Sequence, residues 1–291
     1  MIPRRRSNRS DGRILVRGRV NTAFTRTELL AVVALIMGLV TLWVMSRPER
    51  TAVIWEANCV GNLKEIGAAL TVYSEESNQK LPFAFMQPKP GMPVTWDGLI
   101  STTLRVAMRG EYLDGPPPPV GLALRCPNDG IDAVSVDASS SSVRRSYSMT
   151  EHKMNRANWP PSEYNSTGVG LFWSAYRKRG NASYAALEGA STLPAVTLDM
   201  IQERARTILV TEQANAGNLV GRPKLATVKS TVAQVDETIL PLSALHGGEI
   251  NYLMADGHVE SLEPDETVGL EGEISDSADT HFGMWTIVAG D

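Results

Sequence analysis

The most pronounced hydrophobic segment of the chain covers residues 29–45, which are seventeen consecutive residues without a charged side chain. As an α-helix this segment extends about 25 Å, at the short end of what crosses a bilayer. A core helix of a globular protein has a polar face, and this segment has none. An ordinary secretory signal peptide ends in a small-x-small cleavage site, whereas this segment is followed by SRPER. The pattern therefore predicts a membrane-spanning helix.

A second hydrophobic pattern follows Pro48, a residue type that can kink or briefly break a helix. Apolar residues recur there at spacings of three, four and seven, which places them on one face of a helix. We therefore predict one long helix over residues 26–77, whose outer half packs on a globular domain. The apolar positions are Ala52, Cys59, Leu63, Ile66, Leu70 and Tyr73.

Beyond residue 77 the pattern changes to short apolar segments between turn residues. The Pro-rich segment 78–98 is predicted to be irregular. Asp256 and Gly257 are residues that a two-residue hairpin turn favours, because that turn requires a positive φ. The predicted strands are residues 206–211, 249–254 and 258–262, the last two forming the hairpin.

Charge is distributed unevenly along the 291 residues, of which 28 are Lys or Arg and 32 are Asp or Glu. Residues 1–23 hold seven Arg and one Asp, a net charge of +6, which leaves −10 for the remainder. Thirteen acidic residues and no basic residue follow Lys229, so the chain ends in an acidic tail. The total of −4 argues against a dedicated nucleic-acid-binding protein. An Arg-rich segment before an apolar helix predicts a cytoplasmic N-terminus and an exported C-terminal part.

The residues before the apolar segment, AFTRTELL at 23–30, resemble the cleavage and methylation motif of type IV prepilins and type II secretion pseudopilins. The resemblance implies that a prepilin peptidase cuts after Ala23 and methylates the new amine of Phe24. It also implies that Glu28 pairs with the amine of a neighbouring subunit during filament assembly. The alternative for Glu28 is an interfacial acid beside lipid headgroups. The chain departs from the family pattern at Arg26, where an aliphatic residue is usual, and at Ala23, where Gly is usual.

A second resemblance extends to the C-terminal part of the chain. The segment CVGNLKEIGAALTVY at 59–73 is similar to one found in a large group of pseudopilin-like proteins common in planctomycetes and verrucomicrobia. That group carries a His, nine residues and then Asp-Gly near its other end, and this chain has His246, Asp256 and Gly257 at that spacing. The resemblance thus covers both ends of the chain.

The resemblance implies an α+β, pilin-like fold in which a long N-terminal helix packs on an antiparallel β-sheet with long loops. Residues 1–23 would then be a basic cytoplasmic leader, and residues 24–77 the long helix. Within that helix, residues 24–45 form the membrane or fibre half and residues 49–77 the half that packs on the domain. Residues 78–291 would form the globular, β-rich domain with its acidic tail.

The implied function is that of a pseudopilin-like subunit of a type II secretion or type IV pilus-like filament. Its expected location is the bacterial inner membrane, with a single pass, a cytoplasmic N-terminus and a periplasmic domain. The expected partners are prepilin peptidase, other pseudopilin subunits and the membrane itself, but not nucleic acid; the secreted cargo or surface ligand is unknown. The alternative is a membrane-anchored module that binds a glycan or another surface ligand and does not polymerise.

Four titratable residues near the C-terminus are candidates for a catalytic or transition-metal site: His246, Asp256, His258 and Glu260. Asp256 and Gly257 are explained by the hairpin turn, and the side chains of Asp256 and His258 need not converge because they flank that turn. The spacing of His246, His258 and Glu260 does not place two metal ligands on one helical face. Neither a nucleophile elbow nor a phosphate-binding glycine loop is found. We therefore predict no enzyme activity and no cofactor, with His246 buried and bonded to loop backbone.

The acidic tail is the other metal candidate, since clustered carboxylates offer the hard oxygen ligands that Ca²⁺ prefers. The tail has no EF-hand pattern, so this possibility rests on composition alone, and a solvated acidic surface is the favoured interpretation. The acids are Glu260, Glu263, Asp265, Glu266, Glu271, Glu273, Asp276 and Asp279.

Cys59 and Cys126 are the two cysteines of the chain. Under the predicted topology both lie outside the cytoplasm, where disulfides persist. One intramolecular disulfide would connect the long helix to the segment that contains Pro127. Two separate buried thiols are the alternative, and the sequence leaves both open.

Overall fold

The computed structural model of this chain describes residues 25–45, 47–89, 92–104, 123–132, 143–152, 167–174, 195–228, 234, 242–269 and 283–289. The chain divides into two compact units, Met1–Glu49 and Arg50–Asp291. Long helices near the N-terminus are followed by strands and short helical turns, so the fold is mixed α and β. This arrangement is consistent with the expected α+β class.

Helix α1 (Arg26–Met45) is the apolar helix of the first unit. By length and composition its stretch Arg26–Trp43 suffices to cross a membrane, and none of that stretch is buried. The hydroxyl of Thr41 lies 2.9 and 2.8 Å from the carbonyl oxygens of Met37 and Gly38, so this polar group is satisfied within the helix. Burial of an apolar surface of this extent is favourable, because water disfavours its exposure.

Helix α2 (Arg47–Glu76) buries one face of its second half. The predicted stripe forms that face, with Cys59, Leu63, Ile66 and Leu70 at most 1% exposed. Spacings of three and four residues bring these side chains together on one side of the helix. The stripe is therefore the surface through which α2 joins the core.

The predicted single helix corresponds to α1 and α2, and Ser46 between them lies outside the described residues. Tyr73 is half-buried, and the side chain of Ala52 also lies outside the described residues. Helix α2 ends where Asn78 and Gln79 take positive φ angles of 56° and 63°. The backbone N–H of Gln79 donates to the Ser74 carbonyl at 2.7 Å, which satisfies one of the terminal carbonyls.

A three-stranded sheet contains β1 (Phe85–Lys89), β2 (Met92–Thr95) and β4 (Phe172–Ser174). Strand β1 is central, antiparallel to β2 and parallel to β4. The prediction that residues 78–98 are irregular is therefore wrong. The register of the β1–β2 pair shifts between Met86 and Lys89, on either side of Pro88. A proline cannot donate to the ladder, so a bulge lets the strand continue past it.

The larger sheet contains β3 (Tyr147–Thr150), β5 (Ile208–Glu212), β6 (Thr227–Val228), β7 (Ile250–Met254) and β8 (Val259–Leu262). Their order across the sheet is β6-β3-β5-β7-β8. Every neighbouring pair is antiparallel except β3 and β6, which are parallel. Strands β5, β7 and β8 lie on the segments predicted as strands. Both sheets are thus mixed, which corrects the expectation of a purely antiparallel sheet.

The apolar face of α2 packs on this larger sheet and shares a core with β3, β5 and β7. Gly67 of α2 faces Leu253 of β7, and a Cβ at Gly67 would lie only 2.8 Å from Leu253 Cδ1. The missing side chain therefore lets the helix approach the strand closely.

The opposite face of the sheet is also buried. Ile250, Tyr252 and Met254 of β7 belong to a second apolar cluster that includes Val268 and Trp285. Successive residues of a strand point to opposite faces, so β7 supplies both clusters in alternation. A strand covered on both faces forms a rigid base for the residues at its ends.

Four residues, 255–258, separate β7 from β8, and three of them, 255–257, form the hairpin loop instead of the predicted two. Met254 and His258 close it, with the Met254 N–H donating to the His258 carbonyl at 2.9 Å. Gly257 has a φ of 94°, and Asp256 is not among the residues with positive φ. A three-residue hairpin loop of this kind requires a left-handed residue only at its last position, which Gly257 supplies.

Arg145 is a buried cation that contacts residues from three distant parts of the chain. Arg145 and Asp97 form an ion pair with an N–O distance of 2.7 Å, and both side chains are fully buried. Arg145 also donates to the Asn218 side chain at 2.9 Å and to the Leu225 carbonyl at 3.1 Å. Its guanidinium lies 5.4 Å from the centre of the Trp96 ring. Burial of a charge is tolerated here because the guanidinium is hydrogen-bonded on several sides.

His152, the second residue after β3, is a buried histidine with 4% exposure. Its Nδ1 lies 2.8 Å from the Thr167 carbonyl oxygen and 3.0 Å from that of Gly168, so Nδ1 carries a proton and donates. Burial lowers the pKa of His152, and these two hydrogen bonds offset only part of the effect. Gly168 has a φ of 64°, and a Cβ there would collide with the backbone of Glu151. The close approach of the two backbones thus depends on glycine.

We expect His152 to make the protein less stable in acid. In the unfolded chain a histidine binds a proton near its ordinary pKa of about 6.5, whereas folded His152 binds it only at lower pH. The free energy of unfolding therefore falls as the pH drops through this range. His152→Gln should show a smaller decrease in melting temperature than the wild type between about pH 7.5 and 5.5.

His258→Gln is the matched control for this measurement, because the pKa of His258 is raised in the folded protein. Loss of His258 removes stability at low pH, so its acid-induced decrease should be larger than that of the wild type. Equal decreases in the wild type and His152→Gln would contradict the assignment.

Candidate functional site

Four side chains from four separate segments meet inside the second unit. Cys59 comes from α2, Cys126 from the segment 123–132, and Glu212 from the end of β5. His246 is the last residue of the short helix α3 (Ser243–His246). One sulfur, nitrogen or carboxylate oxygen from each residue lies within 4.8 Å of those of the other three. We call these four residues the buried cluster.

The structure joins Cys59 and Cys126 in a disulfide, so neither is a free thiol. Their Cα atoms are 4.9 Å apart, and both residues are fully buried. The bond closes a loop with a sequence separation of 67 residues. In the loop-entropy model such a bond contributes about 4 kcal/mol to the free energy of unfolding. The disulfide thus fastens α2 to the segment that carries Cys126.

His246 is held by side chains on both ring nitrogens. Its Nε2 lies 3.0 Å from Glu212 Oε1 and 3.5 Å from Cys126 Sγ, and its Nδ1 lies 2.8 Å from Asn128 Nδ2. In the neutral ring the amide of Asn128 donates to Nδ1, so Nε2 carries the proton and donates to Glu212. The side chain is buried as predicted, with 0% exposure. The predicted bonds to loop backbone are wrong, because the partners are side chains.

Carboxylates govern the protonation of His246. Burial alone lowers the pKa of His246, but the hydrogen bond and charge of Glu212, together with the charges of Glu56 and Glu249, more than offset it. The pKa of His246 is therefore raised above its ordinary value, and a carboxylate balances the positive charge of the protonated ring.

Glu212 is the member of the buried cluster that the sequence analysis did not identify. Its Oε2 accepts from the Asn251 N–H at 3.0 Å, and its Oε1 accepts from the Asn251 side-chain amide at 3.2 Å. Both residues belong to the paired strands β5 and β7, so the sheet orients the carboxylate. Glu212 could have been identified from the sequence as an acid directly after the buried strand predicted at residues 206–211.

The hairpin holds a second histidine between two carboxylates. His258 Nδ1 lies 2.5 Å from Asp256 Oδ1, and His258 Nε2 lies 3.0 Å from Glu260 Oε1. The side chains of Asp256 and His258 thus converge, which the turn alone did not lead us to expect. All three side chains are about 40% exposed. The hydrogen bonds and charges of Glu260 and Asp256 outweigh burial and raise the pKa of His258.

The residues of the predicted His-x9-Asp-Gly motif do not form one site. His246 precedes β7 and is buried, whereas Asp256 and Gly257 follow β7 in the exposed hairpin loop. A five-residue strand is about 17 Å long, so the two ends of the motif are separated by the length of β7.

At the start of α1, Thr25 and Glu28 form a capping box. The N–H and the hydroxyl of Thr25 both donate to Glu28 Oε2 at 2.9 Å, and the Glu28 N–H donates to the Thr25 hydroxyl at 3.3 Å. This reciprocal pair satisfies donors at the beginning of a helix. The predicted processing residues Ala23 and Phe24 lie outside the described residues.

The described acids of the C-terminal tail make local contacts. Glu263 and Glu266 form a capping box around the 3₁₀ turn Pro264–Thr267. Glu260 accepts from His258 as described above. Asp265 lies within the same 3₁₀ turn. The other four candidates for Ca²⁺ binding lie outside the described residues: Glu271, Glu273, Asp276 and Asp279.

No family model, no curated protein and no solved structure matches this chain. Its function is therefore inferred from its own residues and their geometry. The two most specific arrangements are the capped apolar helix α1 and the buried cluster around the disulfide.

We expect the Glu212 carboxylate to stabilise the fold strongly. Glu212→Ala leaves the buried His246 ring and the Asn251 N–H without their acceptor, which should cost about 3 kcal/mol in the free energy of unfolding. Glu260→Ala is the matched control, because Glu260 accepts from a histidine Nε2 at the same 3.0 Å but is 42% exposed. An exposed pair contributes less than about 1 kcal/mol. Denaturant unfolding of both variants measures the difference, and equal losses would refute the role given to burial.

Proposed function

We propose that this chain is a pseudopilin-like membrane protein that assembles through α1 into a type II secretion or type IV pilus-like filament. It is inserted with its N-terminus in the cytoplasm, cut between Ala23 and Phe24, and displays the second unit outside the cytoplasm. Assembly, and not catalysis, is its activity.

The observation that carries this proposal is the apolar surface of α1. None of the stretch Arg26–Trp43 is buried, although large apolar side chains lie on every side of the helix. Exposed apolar residues continue onto α2 at Val53, Ile54 and Trp55, which are 65%, 58% and 45% exposed. A helix that is apolar all round requires a bilayer or neighbouring helices. The N-terminal helix of a pilin-type subunit lies in the lipid bilayer before assembly and among neighbouring helices of the fibre core after it.

The capping box supports a role for Glu28 at the processed end. Its carboxylate turns back onto Thr25, the residue next to Phe24, whose amine is the proposed new N-terminus. The carboxylate is therefore held at the end of the helix where a positive amine would appear. A charge at the edge of hydrocarbon needs a partner, and the amine of a neighbouring subunit is a suitable one.

Two features of the second unit agree with the proposal. Its helix α2 packs on a mainly antiparallel sheet, which is the arrangement expected of a pilin-like domain. Its cysteines are paired, and disulfides persist outside the cytoplasm. Both features favour a displayed domain on the exported side of the membrane.

The mature N-terminus tests the proposal directly. We expect mass spectrometry of the protein from native membranes to show a chain that begins at methylated Phe24. An intact head that still begins at Met1 would overturn prepilin processing. The anchored binding module, in which the helix serves only as an anchor, would then become the better description.

The charge and the capping role of Glu28 can be separated. Glu28→Gln keeps a side chain that completes a capping box but removes the charge. Thr25→Ala is the matched control, because it removes the cap and keeps the charge. With a photo-crosslinking residue in α1, we expect Glu28→Gln to reduce subunit–subunit adducts at least about tenfold, which corresponds to about 1.4 kcal/mol. Thr25→Ala should retain most of them.

The opposite pattern would contradict the assembly role of Glu28. If Thr25→Ala lost the adducts and Glu28→Gln kept them, Glu28 would serve only to cap the helix. Membrane insertion of each variant is checked by extraction with alkaline buffer, so that a loss of adducts is compared between inserted proteins.

A further inference from the structure

We propose that the buried cluster is a Zn²⁺ site when its two sulfurs are reduced, and that zinc and the disulfide are alternative occupants of the same place. The four ligands are Cys59, Cys126, Glu212 and His246. This inference does not depend on the proposed filament function. It concerns the second unit alone, to which all four residues belong.

The spacing of the ligand atoms fits tetrahedral zinc. With Zn–S and Zn–N distances of about 2.3 and 2.0 Å, sulfur and nitrogen ligands lie about 3.5 Å apart, and nitrogen and oxygen ligands about 3.3 Å apart. Cys126 Sγ lies 3.5 Å from His246 Nε2, which in turn lies 3.0 Å from Glu212 Oε1. The two sulfurs have to separate to about 3.8 Å once the bond between them is broken. All four ligand atoms already lie within 4.8 Å of one another.

The types of ligand select zinc over the hard cations. Thiolate sulfur and imidazole nitrogen suit Zn²⁺, whereas Ca²⁺ and Mg²⁺ take oxygen ligands. Cys59 and Cys126 are fully buried, as is the side chain of His246, and that of Glu212 is 1% exposed. Four protein ligands in a closed interior are typical of a structural zinc site, which leaves no position open for substrate.

The surrounding residues can hold the ligands in the metal-bound state. When Nε2 of His246 binds a metal, Nδ1 must carry the proton and needs an acceptor. Asn128 lies 2.8 Å from Nδ1, and rotation of its amide by 180° presents an oxygen in place of the nitrogen. Asn251 donates its N–H to Glu212 Oε2, so Oε1 remains directed at the cluster. The same outer residues therefore serve both states.

The exchange between the two states is a two-electron reaction with a dithiol. The external dithiol gives up two electrons and two protons and becomes a disulfide. The Cys59–Cys126 bond accepts the two electrons and breaks, and the two resulting thiolates bind Zn²⁺. In the reverse direction a disulfide oxidant takes two electrons from the zinc-bound thiolates, the sulfur–sulfur bond forms again, and Zn²⁺ is released. Zinc would thus hold α2 to the segment 123–132 in the reduced protein, as the disulfide does in the oxidised one.

The first test compares the two redox states of the full-length wild-type protein in detergent. The disulfide is reduced with a phosphine, which is itself oxidised to the phosphine oxide, and the protein is titrated with Zn²⁺ against a competing chelator without oxygen. We expect one Zn²⁺ per reduced chain, bound more than about 100-fold more tightly than by the oxidised chain. Loss of a residue that only hydrogen-bonds to a metal ligand weakens binding by about 10- to 100-fold, so a larger factor indicates that the sulfurs themselves are ligands. Co²⁺ in place of Zn²⁺ should show the intense visible bands of a tetrahedral site. Equal affinity of the two redox states would overturn the proposal.

Variants then identify the ligands. His246→Gln should weaken Zn²⁺ binding by more than about 100-fold, and Asn128→Ala by about 10- to 100-fold, as expected for a residue that orients a ligand. His258→Gln is the matched control, because His258 also lies between carboxylates but has no sulfur beside it. It should leave the affinity unchanged. Equal effects of the two histidine substitutions would refute the site, and circular dichroism of the oxidised variants first establishes that each is folded.

Discussion

The packing of α2 on the five-stranded sheet is the constraint on which the second unit depends. Once Leu63, Ile66 and Leu70 face the sheet, the residue four positions before Leu63 must face it as well, because side chains four apart share one side of a helix. That residue is Cys59. Its sulfur therefore lies in the core next to β5. Gly67 lets the helix come close enough to β7 for contact with Leu253. The disulfide and the buried cluster are consequences of this packing.

The protein contains two His–Glu pairs, one in the core and one in the exposed hairpin, that contribute differently to stability. His246 with Glu212 and His258 with Glu260 have equal 3.0 Å distances between nitrogen and oxygen. In the exposed hairpin water competes for both groups and weakens their attraction. In the core water cannot replace a lost partner, so the pair is coupled to the packing around it. Burial, and not the hydrogen-bond distance, therefore distinguishes the two histidines.

The sequence allowed the local elements to be predicted but not the contacts between distant segments. The uncharged apolar run identified α1, helical periodicity identified the buried face of α2, and the Asp256-Gly257 pair indicated the hairpin. Proline content in residues 78–98 concealed β1 and β2, because a bulge accommodates Pro88 within the sheet. Arg145 was not recognised as buried, since its ion pair and hydrogen bonds come from residues far along the chain. The buried cluster was missed for the same reason, because its members come from four segments.

The nine-residue spacing of the His-x9-Asp-Gly motif follows from the strand within it. Gly247 and Gly248 have positive φ and end α3. Glu249 and the five residues of β7 come next, and Ala255 of the hairpin loop completes the interval. Insertion or deletion of one residue in β7 would turn its side chains to the other face. Leu253 would then leave the core shared with α2, and Tyr252 would leave the second cluster. The spacing is therefore explained by the need to bury both faces of β7, and it requires no shared chemistry between His246 and Asp256.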